Sequence, residues 1–146
     1  MIAPEKRIYL DANILIYAME TDSEEGMLAR RWLQQMDLGR ISGVTSGLTA
    51  LEVLPHPIAA GDTKLVDAYR RLLTDRPTLR IVPISDAILT RATEIRASLG
   101  STTPDALHVA TALLEGCGGF LTNDDRLRLP SELVRYPLSA IALFSR

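Results

Sequence analysis

Ile8-Tyr9-Leu10-Asp11-Ala12-Asn13-Ile14-Leu15-Ile16-Tyr17-Ala18 opens with three apolar residues, enough for a short buried strand, and resumes as an apolar run that reads as a helix. Asp11 and Asn13 stand where one run gives way to the other. A strand that ends in a carboxylate and turns at once into a helix puts that carboxylate at the strand's carboxyl end. In open α/β sheets, ligands bind at that edge. Aspartate and asparagine are also ordinary helix caps, and on this stretch alone the cap is the better reading.

Outward from this stretch, strands and helices alternate. Thr21-Asp22-Ser23-Glu24 carries the residue types of a capping box. The helix after it has Met27, Leu28, Trp32 and Leu33 on one side and ends at Gly39. Residues 40–45, with Ile41 and Val44, predict a second strand. Residues 46–54 predict a short helix stopped by Pro55-His56-Pro57, where His56 reads as a turn residue. Asp62 opens a helix whose Leu65, Val66, Tyr69, Leu72 and Leu73 recur at helical spacing. A third strand covers residues 79–84, and Ser85-Asp86 caps a helix that runs to Leu99. Thr103-Pro104-Asp105 begins the most apolar helix, residues 106–114, with Pro104 suited to the first helical position. Gly119-Phe120-Leu121-Thr122 makes a fourth strand that ends in Asn123-Asp124-Asp125. A last, weak strand is expected near residues 136–138 or 140–144. The alternation predicts a three-layer α/β domain: a central, mostly parallel sheet of four to five strands, covered on both faces.

The 146 residues, 47% hydrophobic, fit one domain with a substantial core. Aromatic residues make up only 5%, so the core is expected to be mostly Leu, Ile, Val and Ala. The net charge of −2 lacks the overall basicity of many nucleic-acid binders, although a local basic rim would serve. Cys117 is the single cysteine, which rules out an internal disulfide framework and fits a reducing compartment. Residues 1–7 contain no signal-peptide core, and no apolar stretch is long enough to span a membrane. The expectation is one soluble, cytoplasmic domain over residues 1–146.

Of the 18 acidic residues, four stand out by position. Asp11 and Asp124 follow apolar strands, while Glu52 and Asp105 sit near the start of apolar helices. Each has an ordinary structural reading. Glu52 stands three residues after Thr49, as in a capping box. Asp105 favours the helix dipole, and Asp124 and Asp125 suit an Asx-turn. The conjunction says more. Converging strand ends bring four acids to one edge, and two such charges about 4 Å apart repel by about 4 kcal/mol at an effective dielectric of about 20. Protonation or a cation must relieve that repulsion. Hard oxygen ligands select Mg2+ or Mn2+, and His56 and His108 are too few and too separated for a zinc site. His108, one turn after Asp105, reads as packing or as an outer-shell group, and the sequence shows no partner for it.

Leu10-Asp11-Ala12-Asn13, Leu51-Glu52-Val53, Pro104-Asp105-Ala106-Leu107-His108-Val109-Ala110 and Leu121-Thr122-Asn123-Asp124 occur in an order and spacing that resemble a PIN domain, most nearly the VapC-type toxin ribonucleases. The resemblance covers residues 8–129. It implies a metal-dependent endoribonuclease in which Asp11, Glu52, Asp105 and Asp124 are catalytic and hold Mg2+ or Mn2+. Asn13 and Thr122 match accessory polar positions, and Asp125 is a spare, outer-shell or purely surface acid. Hydrolysis of single-stranded RNA with cation assistance leaves 5′-phosphate and 3′-hydroxyl ends. The implied partners are RNA, a second copy of the chain and a small antitoxin, with Leu15, Ile16, Met19 and Trp32 available either to such surfaces or to the core. Arg30-Arg31, Arg70-Arg71, Arg126 and Arg128 are candidates for a phosphate-binding rim.

Other readings are a non-toxin PIN nuclease of RNA processing and a PIN-like module that binds RNA or protein without cutting. A phosphoryl-transfer domain fits less well. It needs a lysine near the phosphoryl group, and Lys6 and Lys64 stand at no strand's carboxyl end.

Overall fold

A computed structural model describes residues 6–144. Residues 1–5, part of the segment read as lacking a signal core, lie outside it, as do residues 145–146. The first strand, β1 (Arg7–Leu10), runs directly into α1 (Ala12–Glu20). Then come α2 (Glu24–Asp37), β2 (Ser42–Ser46), α3 (Leu48–Val53), α4 (Pro55–Ala59), α5 (Thr63–Leu72) and β3 (Leu79–Val82). The chain continues through α6 (Asp86–Leu99), α7 (Thr103–Leu114), β4 (Gly119–Leu121) and β5 (Val134–Tyr136), and ends in a 3-10 helix (Leu138–Leu143).

All four strand pairings are parallel, and the sheet order is β3-β2-β1-β4-β5. The first strand made is therefore the central one. From β1 the chain lays β2 and β3 outward on one side, then returns to place β4 and β5 on the other. This reversal makes a topological switch point at the carboxyl ends of β1 and β4, the place where doubly wound folds bind ligands.

Strand alternation sends neighbouring side chains of β1 to opposite faces. Ile8 and Leu10 pack in one cluster with Ile14, Leu15, Trp32, Met36 and Tyr69. Tyr9 joins the other, with Val44, Val82, Ile88, Ile95, Val109 and Phe120. Helices α1, α2 and α5 thus cover one face, and α6 and α7 the other. The three layers expected from the sequence are present. The core is mostly Leu, Ile, Val and Ala, as expected, although Trp32, Tyr9, Tyr69 and Phe120 are its bulkiest fully buried side chains.

Local signals account for most of the helix ends. Ser23 Oγ accepts from Gly26 N–H at α2, Asp62 from Leu65 N–H at α5, and Ser85 from Ile88 N–H at α6. Gly100 stops α6 at φ 68°, a conformation in which a side chain is strained.

One expectation is corrected and two open alternatives are resolved. Pro55-His56-Pro57 does not form a turn but begins α4, because proline is tolerated in a first helical turn that lacks N–H acceptors anyway. The fifth strand lies at Val134–Tyr136, and residues 140–144 are not extended, since the 3-10 helix occupies most of them. Leu15 and Trp32 are buried in the core and offer no partner surface, while Ile16 and Met19 pack partly against it.

Candidate active site at the carboxyl edge of the sheet

Asp11 follows β1 and is the N-cap of α1, so the capping and functional readings hold for one side chain. Its Oδ1 accepts from Ala12 N–H at 2.8 Å, and its Oδ2 accepts from the Thr122 hydroxyl at 2.7 Å and, at 3.5 Å, from Asn13 Nδ2. Asp11 N–H donates to Leu121 O at 3.0 Å, which locks the end of β1 to β4. Burial raises the Asp11 pKa above its usual value. The Thr122 hydroxyl, His108 and Ala12 N–H counter this in part, while the Glu52 charge adds to it.

Glu52 and Asp11 are thus near enough for their charges to interact. Glu52 belongs to the six-residue α3, which hangs from the sheet through buried hydroxyls. Thr45 Oγ1 donates to Leu10 O at 2.9 Å and meets Thr49 Oγ1 at 2.7 Å. This overturns the capping-box reading of Glu52: Gly47 precedes α3 without a side-chain cap, and Thr49 is turned toward Thr45. Glu52 Oε1 instead lies 2.5 Å from His108 Nε2. The other ring nitrogen, Nδ1, forms a short hydrogen bond with Tyr9 Oη. Sequence reading left His108 without a partner, and the structure supplies two.

Tyr9 is completely enclosed. Its ring stacks on Phe120 at 4.8 Å between centroids and meets the His108 ring edge-on at 5.6 Å. Burial pushes its pKa well above the ordinary phenol value, only partly offset by Thr45 and by the Ser46 N–H that donates to its oxygen at 3.1 Å.

Thr122 extends the Asp11 cluster to Asp124. While its hydroxyl donates to Asp11, the same oxygen accepts from Asp124 N–H at 3.1 Å. Asp124 Oδ1 accepts from Arg126 N–H at 2.9 Å, which is the expected Asx-turn. Arg135 of β5, which drew no attention in the sequence, holds this turn by donating to Asp124 O at 2.7 Å and to Leu127 O. Asn123 Nδ2 donates to Tyr17 Oη at 3.3 Å. Asp125 is exposed. Asp105 stands in the first turn of α7, whose N-cap Thr102 accepts from Asp105 N–H at 3.4 Å. Because α7 returns the chain to the amino end of β4, its own N-terminus lies at the carboxyl edge, with Asp105 one turn before His108.

The donor set fits a hard divalent cation. Asn13 Oδ1 is buried with no protein partner, beside the desolvated Asp11 carboxylate. The Asp11 carboxylate, the Asn13 amide and the Thr122 hydroxyl are neighbours there, the mix preferred by Mg2+ or Mn2+. Among the described residues, no three His, Cys, Asp or Glu side chains are gathered into a ready-made cage. The acids share an edge, Asp11 near Glu52 and linked through Thr122 to Asp124, without closing on a point.

Of the candidate arginines, Arg30 is tied up structurally, since it donates to Ala18 O and Thr21 O at the end of α1. Arg128 donates to Leu99 O at 2.7 Å. Arg126 extends into solvent, 96% exposed and 3.8 Å from Asp124 Oδ1. A cavity of about 520 Å3 opens at the opposite, amino edge, between Arg7, Arg76 and Arg80. Arg80 pairs there with Glu115 at 2.5 Å, far from the Asp11 edge.

No helix among the described residues is long and apolar enough to cross a membrane. Among solved structures, the chain is similar to a chain of the toxin-antitoxin complex from Klebsiella pneumoniae, with 23% identity and a TM-score of 0.64, covering 87% of this chain and 95% of that one. It is similar also to a chain of VapBC2 from Rickettsia felis bound to a DNA fragment from their promoter, at 17% identity and a TM-score of 0.68 over 89% and 97% of the two chains. A chain of FitAB bound to the IR36 DNA fragment is 15% identical, with a TM-score of 0.59 over 90% and 94%. At these identities the likeness establishes the fold. No curated protein sequence matches. The PIN domain family model matches residues 8–133, most of the chain. The parallel sheet, the carboxylate at its switch point and this match together place the chain in the PIN domain family, whose members are generally nucleases.

Proposed function

We propose that the chain is a Mg2+- or Mn2+-dependent endoribonuclease that cuts single-stranded RNA, and that it acts as the toxin of a VapC-type toxin-antitoxin pair. The observation that carries the nuclease reading is the linkage of Asp11 through Thr122 to Asp124, beside Glu52 and the orphaned Asn13 Oδ1. The toxin reading is supported by the neighbours, whose structures are described as toxin-antitoxin or VapBC assemblies.

Asp11, Glu52, Asp105 and Asp124 would hold the cation. Asn13 and Thr122 would assist, with Asp125 outside them. When bound, the cation supplies positive charge that acidifies water and stabilises the leaving oxygen of a phosphodiester. The chain's own groups set the stage. Thr122 and Ala12 N–H fix both oxygens of Asp11, Arg135 holds the turn that carries Asp124, and the exposed Arg126 would meet an RNA phosphate. Leu51 on α3 and Ile58 on α4 are exposed apolar side chains that would suit a covering antitoxin. A second copy of the chain is the other partner proposed.

The test is cleavage of a labelled single-stranded RNA mixture by the wild type and by Asp105→Asn, each with Mg2+, with Mn2+ and with EDTA. Cutting by the wild type alone, abolished by EDTA and leaving 5′-phosphate ends, is expected. Equal cutting by both proteins would remove Asp105 from the site.

A further inference from the structure

We propose that His108 is a positioning residue that fixes the Glu52 carboxylate: held by Tyr9 in the tautomer that carries its proton on Nε2, it anchors Glu52 Oε1 and leaves Oε2 for a divalent cation. This rests on the nuclease reading above and concerns how one of its acids is held.

Glu52 needs such an anchor. Its helix has six residues and no side-chain cap, and its side chain is one-third exposed. A glutamate in that setting is free to turn into water. His108 comes from the opposite kind of element, since residues 106 through 112 of α7 are all buried. The 2.5 Å contact therefore ties a loosely held carboxylate to a rigid helix, across 56 residues of chain.

The proton order follows from the partners. Ser46 N–H can only donate, so Tyr9 Oη accepts that bond. Thr45 Oγ1, its other partner, is engaged with Leu10 O and Thr49 Oγ1, which leaves His108 Nδ1 as the acceptor of the phenol's own proton. With Nδ1 accepting, the neutral imidazole carries its proton on Nε2, facing a carboxylate oxygen that can only accept. This arrangement satisfies Ser46 N–H, both His108 nitrogens and Glu52 Oε1 together, and Tyr9 is itself immobilised between Phe120 and the His108 ring. Among the described residues, Glu52 Oε2 has no protein partner. Groups that orient a ligating side chain in this way typically change metal affinity or activity by about 10–100-fold when removed.

The experiment measures Mn2+ affinity by calorimetry and the His108 tautomer by 15N NMR of the metal-free protein, alongside RNA cleavage. In the wild type the Nε2–H tautomer alone is expected. His108→Leu lowers Mn2+ affinity about tenfold, and His108→Gln, whose amide can still donate to Glu52, recovers most of the loss. On a Glu52→Gln background, His108→Leu has no further effect, because its role runs through Glu52. Full Mn2+ affinity in His108→Leu, or an equal loss on both backgrounds, overturns the proposal. Should leucine at 108 prevent folding, Tyr9→Phe decides. It keeps the stacked ring, and the expected result is a mixed tautomer with weakened Mn2+ binding, whereas an unchanged tautomer and affinity overturn the link. A Glu52→Gln protein that binds Mn2+ like the wild type instead removes Glu52 from the metal site, a distinct failure.

Discussion

Thr122 Oγ1 lies 2.7 Å from Asp11 Oδ2, joining the ends of two adjacent strands that are 111 residues apart in the chain. The hydroxyl also accepts the Asp124 N–H, so one small side chain sets the spacing between two acids. Thr122→Val keeps the shape and deletes both bonds. We expect RNA cleavage to fall about 10–100-fold and stability by about 1–2 kcal/mol, measured by cleavage rates and urea titration. Undiminished cleavage would show that the hydroxyl organises nothing the reaction needs.

Asp11 gives a pH-dependent prediction. Burial raises its pKa above the ordinary 3.8. A carboxyl that holds its proton more tightly when folded weakens the fold on ionising, so its cost grows as pH rises from about 4 through the raised value. Asp11→Asn, still a competent cap, should therefore melt above the wild type at pH 7 without metal, with the gap closing toward pH 4. Added Mn2+ should raise the melting temperature of the wild type but not of the variant. Equal melting of the two proteins at pH 7 would mean that the buried charge costs the fold nothing.

Gly119 sits where β4 is flanked by larger side chains. A Cβ there would stand 2.4 Å from Tyr136 Cε2 and 2.7 Å from Ile8 Cδ1, one on each neighbouring strand. Gly119→Ala should destabilise by about 1–3 kcal/mol. An unchanged urea midpoint would show that the Tyr136 ring swings aside freely.

Trp32 ties the C-terminal 3-10 helix to the core by donating from Nε1 to Leu138 O at 2.9 Å, with Phe144 packed 5.2 Å from its ring. Trp32→Phe leaves that buried carbonyl unsatisfied, at a cost of about 1–3 kcal/mol. Hydrogen exchange should show the loss of protection concentrated over residues 138–144. Protection lost evenly through the chain would mean that Trp32 anchors no particular segment.

The strand-to-helix turn at Asp11 and the apolar helix after Pro104 were readable because their signals are local: an apolar run, a cap, a proline at a helix start. The capping box at Glu52 misled for the same reason. Its spacing from Thr49 is right, yet Thr49 bonds Thr45, a preference that exists only once β2 and α3 are folded against each other. The partners of His108 lie 99 and 56 residues away, beyond any local pattern. One clue was present all the same. Alternation along Ile8-Tyr9-Leu10 sends Tyr9 to the face opposite its neighbours, where the most apolar helix packs. A phenol and an imidazole on facing buried surfaces have few partners but each other.

The place of β1 also bears on biosynthesis. It is made before the other described strands, yet its sheet neighbour β4 and the Thr122 bond to Asp11 must wait for 111 more residues, about 6–22 s at about 5–20 residues per second. Until then Asp11 has no Thr122 and Asp124 has not been made, so a chain that stops short of β4 carries no assembled site. In the nuclease proposed above, this order keeps the growing chain without its site until β4 has been made.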